Sequence, residues 1–224
     1  MADYIETLGV VIKQNDVGEA DRALTILTEH CGKIHVWVNG ARRARSKYLA
    51  SSQLFCASKF MIYKFRDTYR INTSEVVEAF FNLRTNLDKL SYAAYLVELT
   101  NDGVQEEDNE HARDIMRLLL NTLHFISNTE KDSLLMVHIF EIRFLSLIGF
   151  RPMLLEGSAE AGFGICPLSE GAMKAVEHIV SSPLEKIFSF EVESDILKEL
   201  DRFCKIYVEN HMGKEYKVLH FYAT

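Results

Sequence analysis

The periodicity of this chain changes near residues 70–80. Before that point apolar residues tend to alternate with polar ones; beyond it they recur every three or four positions. Successive side chains point to opposite faces of a strand, whereas a helix returns to the same face after 3.6 residues, so the change separates a β-rich region from an α-rich one. Charge shifts at the same place. Between Lys33 and Arg66 there are eight basic side chains and no Asp or Glu, on a protein whose formal net charge is -7. A chain of 224 residues can bury one large core or two modest ones, and the coincidence marks a candidate domain boundary.

In the first region, Tyr4–Lys13 mixes β-branched and apolar residues before the turn formers Asn15, Asp16 and Gly18. Arg22–Thr28 reads as a second strand. Ile34, Val36 and Val38 face opposite His35, Trp37 and Asn39 in a third, which Asn39-Gly40 ends in a turn. Further strands are expected at Gln53–Arg66 and Thr68–Ile71. Short strands without a long intervening helix predict a small barrel or sandwich.

The second region reads as helices. Ser74 is a candidate cap for a helix with Val77, Phe80 and Phe81 on its apolar side, continuing through Leu87–Val97 to about Thr100. Asn101-Asp102-Gly103 breaks it. Ile115–Ile126 is amphipathic, and Leu134–Ile148 is apolar on several sides, as a central helix would be. Gly149 and Arg151-Pro152 stop it. Leu154–Pro167, with Gly157, Gly162 and Gly164, is the most loop-like stretch. A segment from Leu168-Ser169-Glu170 to Ser181-Ser182-Pro183 and another over Ser194–Val208 complete the pattern.

Four charges in the six residues Arg42–Lys47 are expected to project from an inter-strand loop. Arginine forks grip phosphate oxygens in pairs, whereas lysine offers a point charge. Lys33, Lys59, Lys64 and Arg66 extend the basic stretch. Trp37, Tyr48 and Tyr63 are candidate stacking platforms for unpaired bases. Phe60 and Phe65 read as core residues, but their opposite parity means that an unbulged strand cannot bury both. The basic loop has two readings: a nucleic-acid contact, or an ordinary solvated loop. Asp21 lacks the nucleophile and base that catalysis would require, and Arg22 reads as a positioning residue.

Other chemistries find little support. Cys31, Cys56, Cys166 and Cys204 form no CxxC pair, which fits buried thiols in a reducing compartment better than disulfides or a four-cysteine zinc site. The histidines, among them His124, His138, His211 and His220, form no HExxH or compact His/Cys pattern. The glycines near 157–164 do not have the spacing of a phosphate-binding loop. Glu106, Glu107 and Asp108 read as a solvated acidic loop. No catalytic residue, metal or cofactor is expected. The N-terminus, with Asp3 and Glu6, does not read as a secretory leader, and no segment has the apolar length to span a bilayer; the expectation is cytoplasmic.

Several segments, in order, resemble the bacterial RecO family of recombination mediators. They are Gly18-Glu19-Ala20-Asp21-Arg22, Leu24–Thr28, Gly32-Lys33-Ile34 and, most specifically, Gly40-Ala41-Arg42-Arg43-Ala44-Arg45-Ser46. Leu90–Leu99, Phe140–Pro152 and Leu168–Ala172 carry the resemblance through the second region. It implies a β plus α fold, with an N-terminal OB-fold barrel (1–78) for nucleic-acid binding, followed by a mostly α-helical domain (79–224) with an irregular loop near 151–167. It also implies binding of single- and double-stranded DNA, strand annealing, work with RecR, and help for RecA in replacing single-stranded DNA-binding protein during repair, in the cytoplasm at the nucleoid. Arg42, Arg43 and Arg45 match the family's basic loop. Many members carry a four-cysteine zinc element after the segment matching Gly149–Pro152. Here Arg151–Leu168 contains only Cys166, so that element is expected to be missing. The competing classes are an RNA-binding OB-type adaptor and a non-enzymatic protein-interaction scaffold.

Overall fold

A computed structural model of the chain describes residues 3–216, apart from 67, 109, 129–132 and 162–163. Gly162 and His220 therefore lie outside the described residues. The chain forms two compact units, residues 1–127 and 128–224. The last barrel strand ends at Glu78, whereas the two units divide after Ser127.

Five strands build the first unit: β1 (Tyr4–Val17), β2 (Asp21–Thr28), β3 (Gly32–Val38), β4 (Ala57–Phe65) and β5 (Thr68–Glu78). They close into a barrel in the order β1-β2-β3-β5-β4, with β1 returning to β4. Only the β3–β5 seam is parallel, pairing Val36 with Tyr69 and Trp37 with Arg70. This five-stranded closed barrel is OB-like. The alternation of Ile34, Val36 and Val38 does what the sequence predicts. These side chains join Val11, Leu24, Ile26, Phe60 and Ile62 in the barrel core. Closure gives each barrel strand a neighbour on both sides, unlike the edge strands of an open sheet.

Three expectations in this unit are corrected. Residues 53–56 are turns, so β4 begins at Ala57. Phe60 is fully buried, but Phe65 is 49% exposed; the parity conflict is resolved by putting only one of them in the core. Ser74 does not cap a helix. It lies within β5, its hydroxyl 2.7 Å from that of Ser51. The Val76-Val77 pair favours extended backbone, and the left-handed Phe80 (φ 49°) ends any continuous helical run. After a short 3-10 helix (Phe81–Thr85), α1 (Leu87–Gly103) starts at Asn86, whose side chain accepts from the Lys89 backbone N–H at 3.0 Å. α1 packs on β1, and α2 (Ala112–Asn128) follows.

In the second unit α3 (Ser133–Leu147) packs on α4 (Glu170–Ser181) and α5 (Ser194–Met212). α3 is buried around most of its circumference, as its all-round apolar sequence requires. Ser169 caps α4 by accepting from the Ala172 backbone N–H, and Gly213 ends α5 with φ 68°. The loop-like stretch contains a small antiparallel sheet, β6 (Leu154–Leu155), β7 (Ser158–Glu160) and β8 (Ile165–Pro167). Cys166 is buried there as the stretch's one thiol, so a four-thiolate zinc element does not fit. Among the described residues no helix is long and apolar enough to cross a membrane.

Candidate nucleic-acid interface

The β3–β4 connection, residues 39–56, is a chain of tight turns held to the barrel. Phe55 donates its backbone N–H to Val11, and Leu54 donates to the Gln14 side chain. The Gly18–Arg22 segment supplies the clamp. Asp21 accepts from the Gly40 backbone N–H at 2.7 Å. Arg22 is buried, pairs with Asp16 at 3.1 Å and donates to the Ser52 hydroxyl at 2.9 Å. Arg22 therefore positions the loop, as its sequence context indicates.

The four loop cations have different surroundings. Arg42 pairs with Asp16 at 3.3 Å and donates to the Gly18 carbonyl, so it anchors the loop to the β1–β2 turn. Arg43 and Arg45 are exposed, and among the described residues their guanidinium groups make no hydrogen bond or ion pair. Lys47 donates to the Asn72 carbonyl at 3.0 Å and lies 4.9 Å from the Tyr48 ring centroid. The Tyr48 hydroxyl donates to the Ile71 and Asn72 carbonyls, and its ring packs against the barrel core.

Strand register assembles a second feature. Ala23 pairs with Trp37, Trp37 with Arg70, Arg70 with Tyr63, and Tyr63 with Tyr4. Directly paired residues share a face, so these side chains form one transverse row on the outside of the barrel. Tyr4 and Tyr63 meet edge-to-face with centroids 5.4 Å apart. One step along, Lys13, Thr25 and His35 form a parallel row. Between the rows lies a shallow groove of about 260 Å³, lined by Lys13, Asn15, Thr25, His35, Trp37 and Thr68 among others. Arg66, at the β4–β5 turn with φ 55°, lies 5.5 Å from the Phe65 ring, and Arg70 reaches the same ring at 5.7 Å.

Lys33, Lys64 and Lys59 stand outside that grouping. The loop after α1 docks on the Gly32 end of β3: Glu107 donates its backbone N–H to the Lys33 carbonyl. A Cβ at Gly32 (φ 64°) would collide with the Asp108 carbonyl, so this close approach requires glycine. Lys33 is half-buried and donates to the Asn101 carbonyl at 2.7 Å; burial pulls its ammonium below the usual lysine range, with Glu106 opposing. Glu106 pairs with His35 at 2.8 Å, a hydrogen bond that holds its carboxyl below the usual range, and Glu107 pairs with Lys64 at 2.9 Å. Glu106, Glu107 and Asp108 are exposed, as a solvated acidic loop would be, and the backbone of that loop is docked on β3. Lys59 is exposed on β4 in register with Leu8 and Glu75.

Sequence reasoning missed Lys13, Arg70 and Tyr4. Arg70 lies beyond the basic run, Lys13 is isolated, and only strand register brings them beside Trp37. No local signal reveals this, although a correct pairing of β3 with β5 would have.

The barrel order and the basic loop beside its β2–β3 face define an OB-type barrel protein with an appended helical region. The comparisons identify the family. Residues 1–80 match the family described as Recombination protein O N terminal, and residues 84–161 match Recombination protein O C terminal. The chain is 36% identical to the DNA repair protein RecO of Acetivibrio thermocellus over 99% of its own length and 97% of that protein. It is 31% identical to the DNA repair protein RecO of Alkaliphilus metalliredigens over 94% of each chain. The chain belongs to the recombination protein O family.

Proposed function

We propose that this protein is a non-enzymatic, DNA-binding recombination mediator that anneals complementary strands and helps RecA load onto DNA coated with single-stranded DNA-binding protein. The observation that carries the reading is the pair Arg43 and Arg45. They are two exposed guanidinium groups on a loop whose other charges are tied down, so they are available to phosphate. The adjoining groove offers Trp37 to a base and Lys13 to the backbone, with Arg70 in register beside Trp37, which suits a single strand laid across β2 and β3. Neutralising two strands at one surface lowers the repulsion that opposes their pairing.

In this reading residues 1–78 bind single- and double-stranded DNA, while residues 79–224 meet RecR and single-stranded DNA-binding protein at the nucleoid in the cytoplasm. Arg42, Lys47 and Arg66 add charge at the rim; Lys33, Lys64 and Lys59 are secondary, and Trp37 and Tyr63 are better platforms than Tyr48. The test is a salt series on matched single-stranded DNA, duplex DNA and RNA, followed by annealing of complementary strands. Salt-sensitive DNA binding with accelerated annealing is expected. A preference for RNA would favour the adaptor reading, and failure to bind either nucleic acid would favour a protein scaffold.

A further inference from the structure

The second unit contains a cluster of metal-ligating groups that a recombination mediator's DNA surface does not use. His138 and Glu141, one turn apart on α3, face Cys204 on α5; one donor atom from each lies within 4.8 Å of the others, and all three residues are buried. His138 Nδ1 is 2.7 Å from Glu141 Oε2. The other ring nitrogen, Nε2, is buried without a hydrogen-bond partner. Asp201 Oδ1 approaches it to 3.4 Å, within ion-pair distance but without hydrogen-bond geometry. Asp201 precedes Cys204 by three residues on α5, so the two share a helix face, and its side chain is 58% exposed.

We propose that His138, Glu141 and Cys204, with Asp201 at the solvent side, form a divalent metal site that ties α3 to α5, with zinc the favoured ion. One imidazole, one thiolate and carboxylate oxygens are a donor set that zinc accepts in tetrahedral geometry. Metal–ligand bonds of about 2.0–2.3 Å place neighbouring donors about 3.3–3.8 Å apart. The observed cluster therefore closes with side-chain shifts of about an ångström. His138 can present Nδ1 to the ion beside Glu141, while Asp201, 3.4 Å from Nε2, holds the ring from its other side, the usual carboxylate support for a ligating histidine. The Cys204 thiol lies buried on α5 facing the two α3 donors. Coordination releases the thiol proton to solvent and leaves the thiolate on the metal. Half-exposed Asp201 provides the way in. This single-thiolate site, built on helices, differs in ligands and location from the four-cysteine loop element that the chain lacks.

The test uses the untagged full-length chain, stripped with chelator under reducing conditions and titrated with cobalt(II). One equivalent should bind, giving a thiolate-to-cobalt charge-transfer band and the intense visible bands of four-coordinate cobalt, both removed by competing zinc. Cys204→Ser should abolish the charge-transfer band, while Cys166→Ser should keep it. Absence of the band in the wild-type chain, or its survival in a folded Cys204→Ser variant, overturns the site. If Cys204→Ser does not fold, X-ray absorption of the zinc-loaded wild-type chain decides. One sulfur among nitrogen and oxygen neighbours supports the site; none, or two or more, refutes it.

Discussion

Removing Arg43 and Arg45 together should separate DNA contact from folding. Both side chains are exposed and, among the described residues, make no hydrogen bond or ion pair. The double Arg→Ala change should therefore alter stability by less than about 0.5 kcal/mol, as surface substitutions do. Its effect on DNA is set by counterion release: each phosphate neutralised contributes about 0.7 to the slope of log K against log salt for a single strand, and about 0.9 for a duplex. Loss of two contacts should flatten the slope by about 1.4 on single strands and about 1.8 on duplex. Lys33→Ala with Lys64→Ala removes the same formal charge. Those ammonium groups already donate to the Asn101 carbonyl and to Glu107, so this change should flatten the slope by less than about 0.7, one contact's worth. Fluorescence anisotropy of a labelled oligonucleotide between about 50 and 200 mM salt measures both variants. Equal flattening in the two pairs, or none in the arginine pair, would refute the assignment.

Trp37→Ala should weaken single-stranded DNA binding by the value of one stacked base, about 1–3 kcal/mol, with duplex affinity much less affected; equal losses on both would remove Trp37 from the base-contact role. Arg22→Ala breaks charged hydrogen bonds to Asp16 and Ser52 and should cost about 1.5–3 kcal/mol in urea denaturation, with a value under about 0.5 arguing against its clamp. Gly32→Ala should undock the acidic loop and expose backbone amides near Lys33 to faster hydrogen exchange, because the added methyl meets the Asp108 carbonyl. The Glu106 contact has a signed pH dependence. Its folded carboxyl is held below the ordinary range, so its stabilisation is present above that range and should disappear as pH falls through the folded value; a loop equally protected in acid would contradict this.

The strand region was legible where alternation was clean. Ile34, Val36 and Val38 announce a half-buried strand, and Asn39-Gly40 announces its end. It was misread where two periodicities overlap: Val77, Phe80 and Phe81 have helical spacing, yet pairing with β4 holds residues 68–78 extended. The basic loop was visible because four charges in six residues resist burial. What distinguishes those charges was not visible, since Asp16 and the Asn72 carbonyl reach Arg42 and Lys47 only after the barrel closes.

By itself, then, the sequence determined the β-then-α order, the basic loop and the family resemblance, because periodicity, local charge and motif order are properties of neighbours along the chain. Tertiary structure decided which cations remain available, set Trp37, Arg70 and Tyr63 in one row, and laid an acidic loop over Lys33 and Lys64. It also brought His138 to Cys204 across sixty-six positions. These relations depend on strand register and helix packing, which join residues that no local pattern connects.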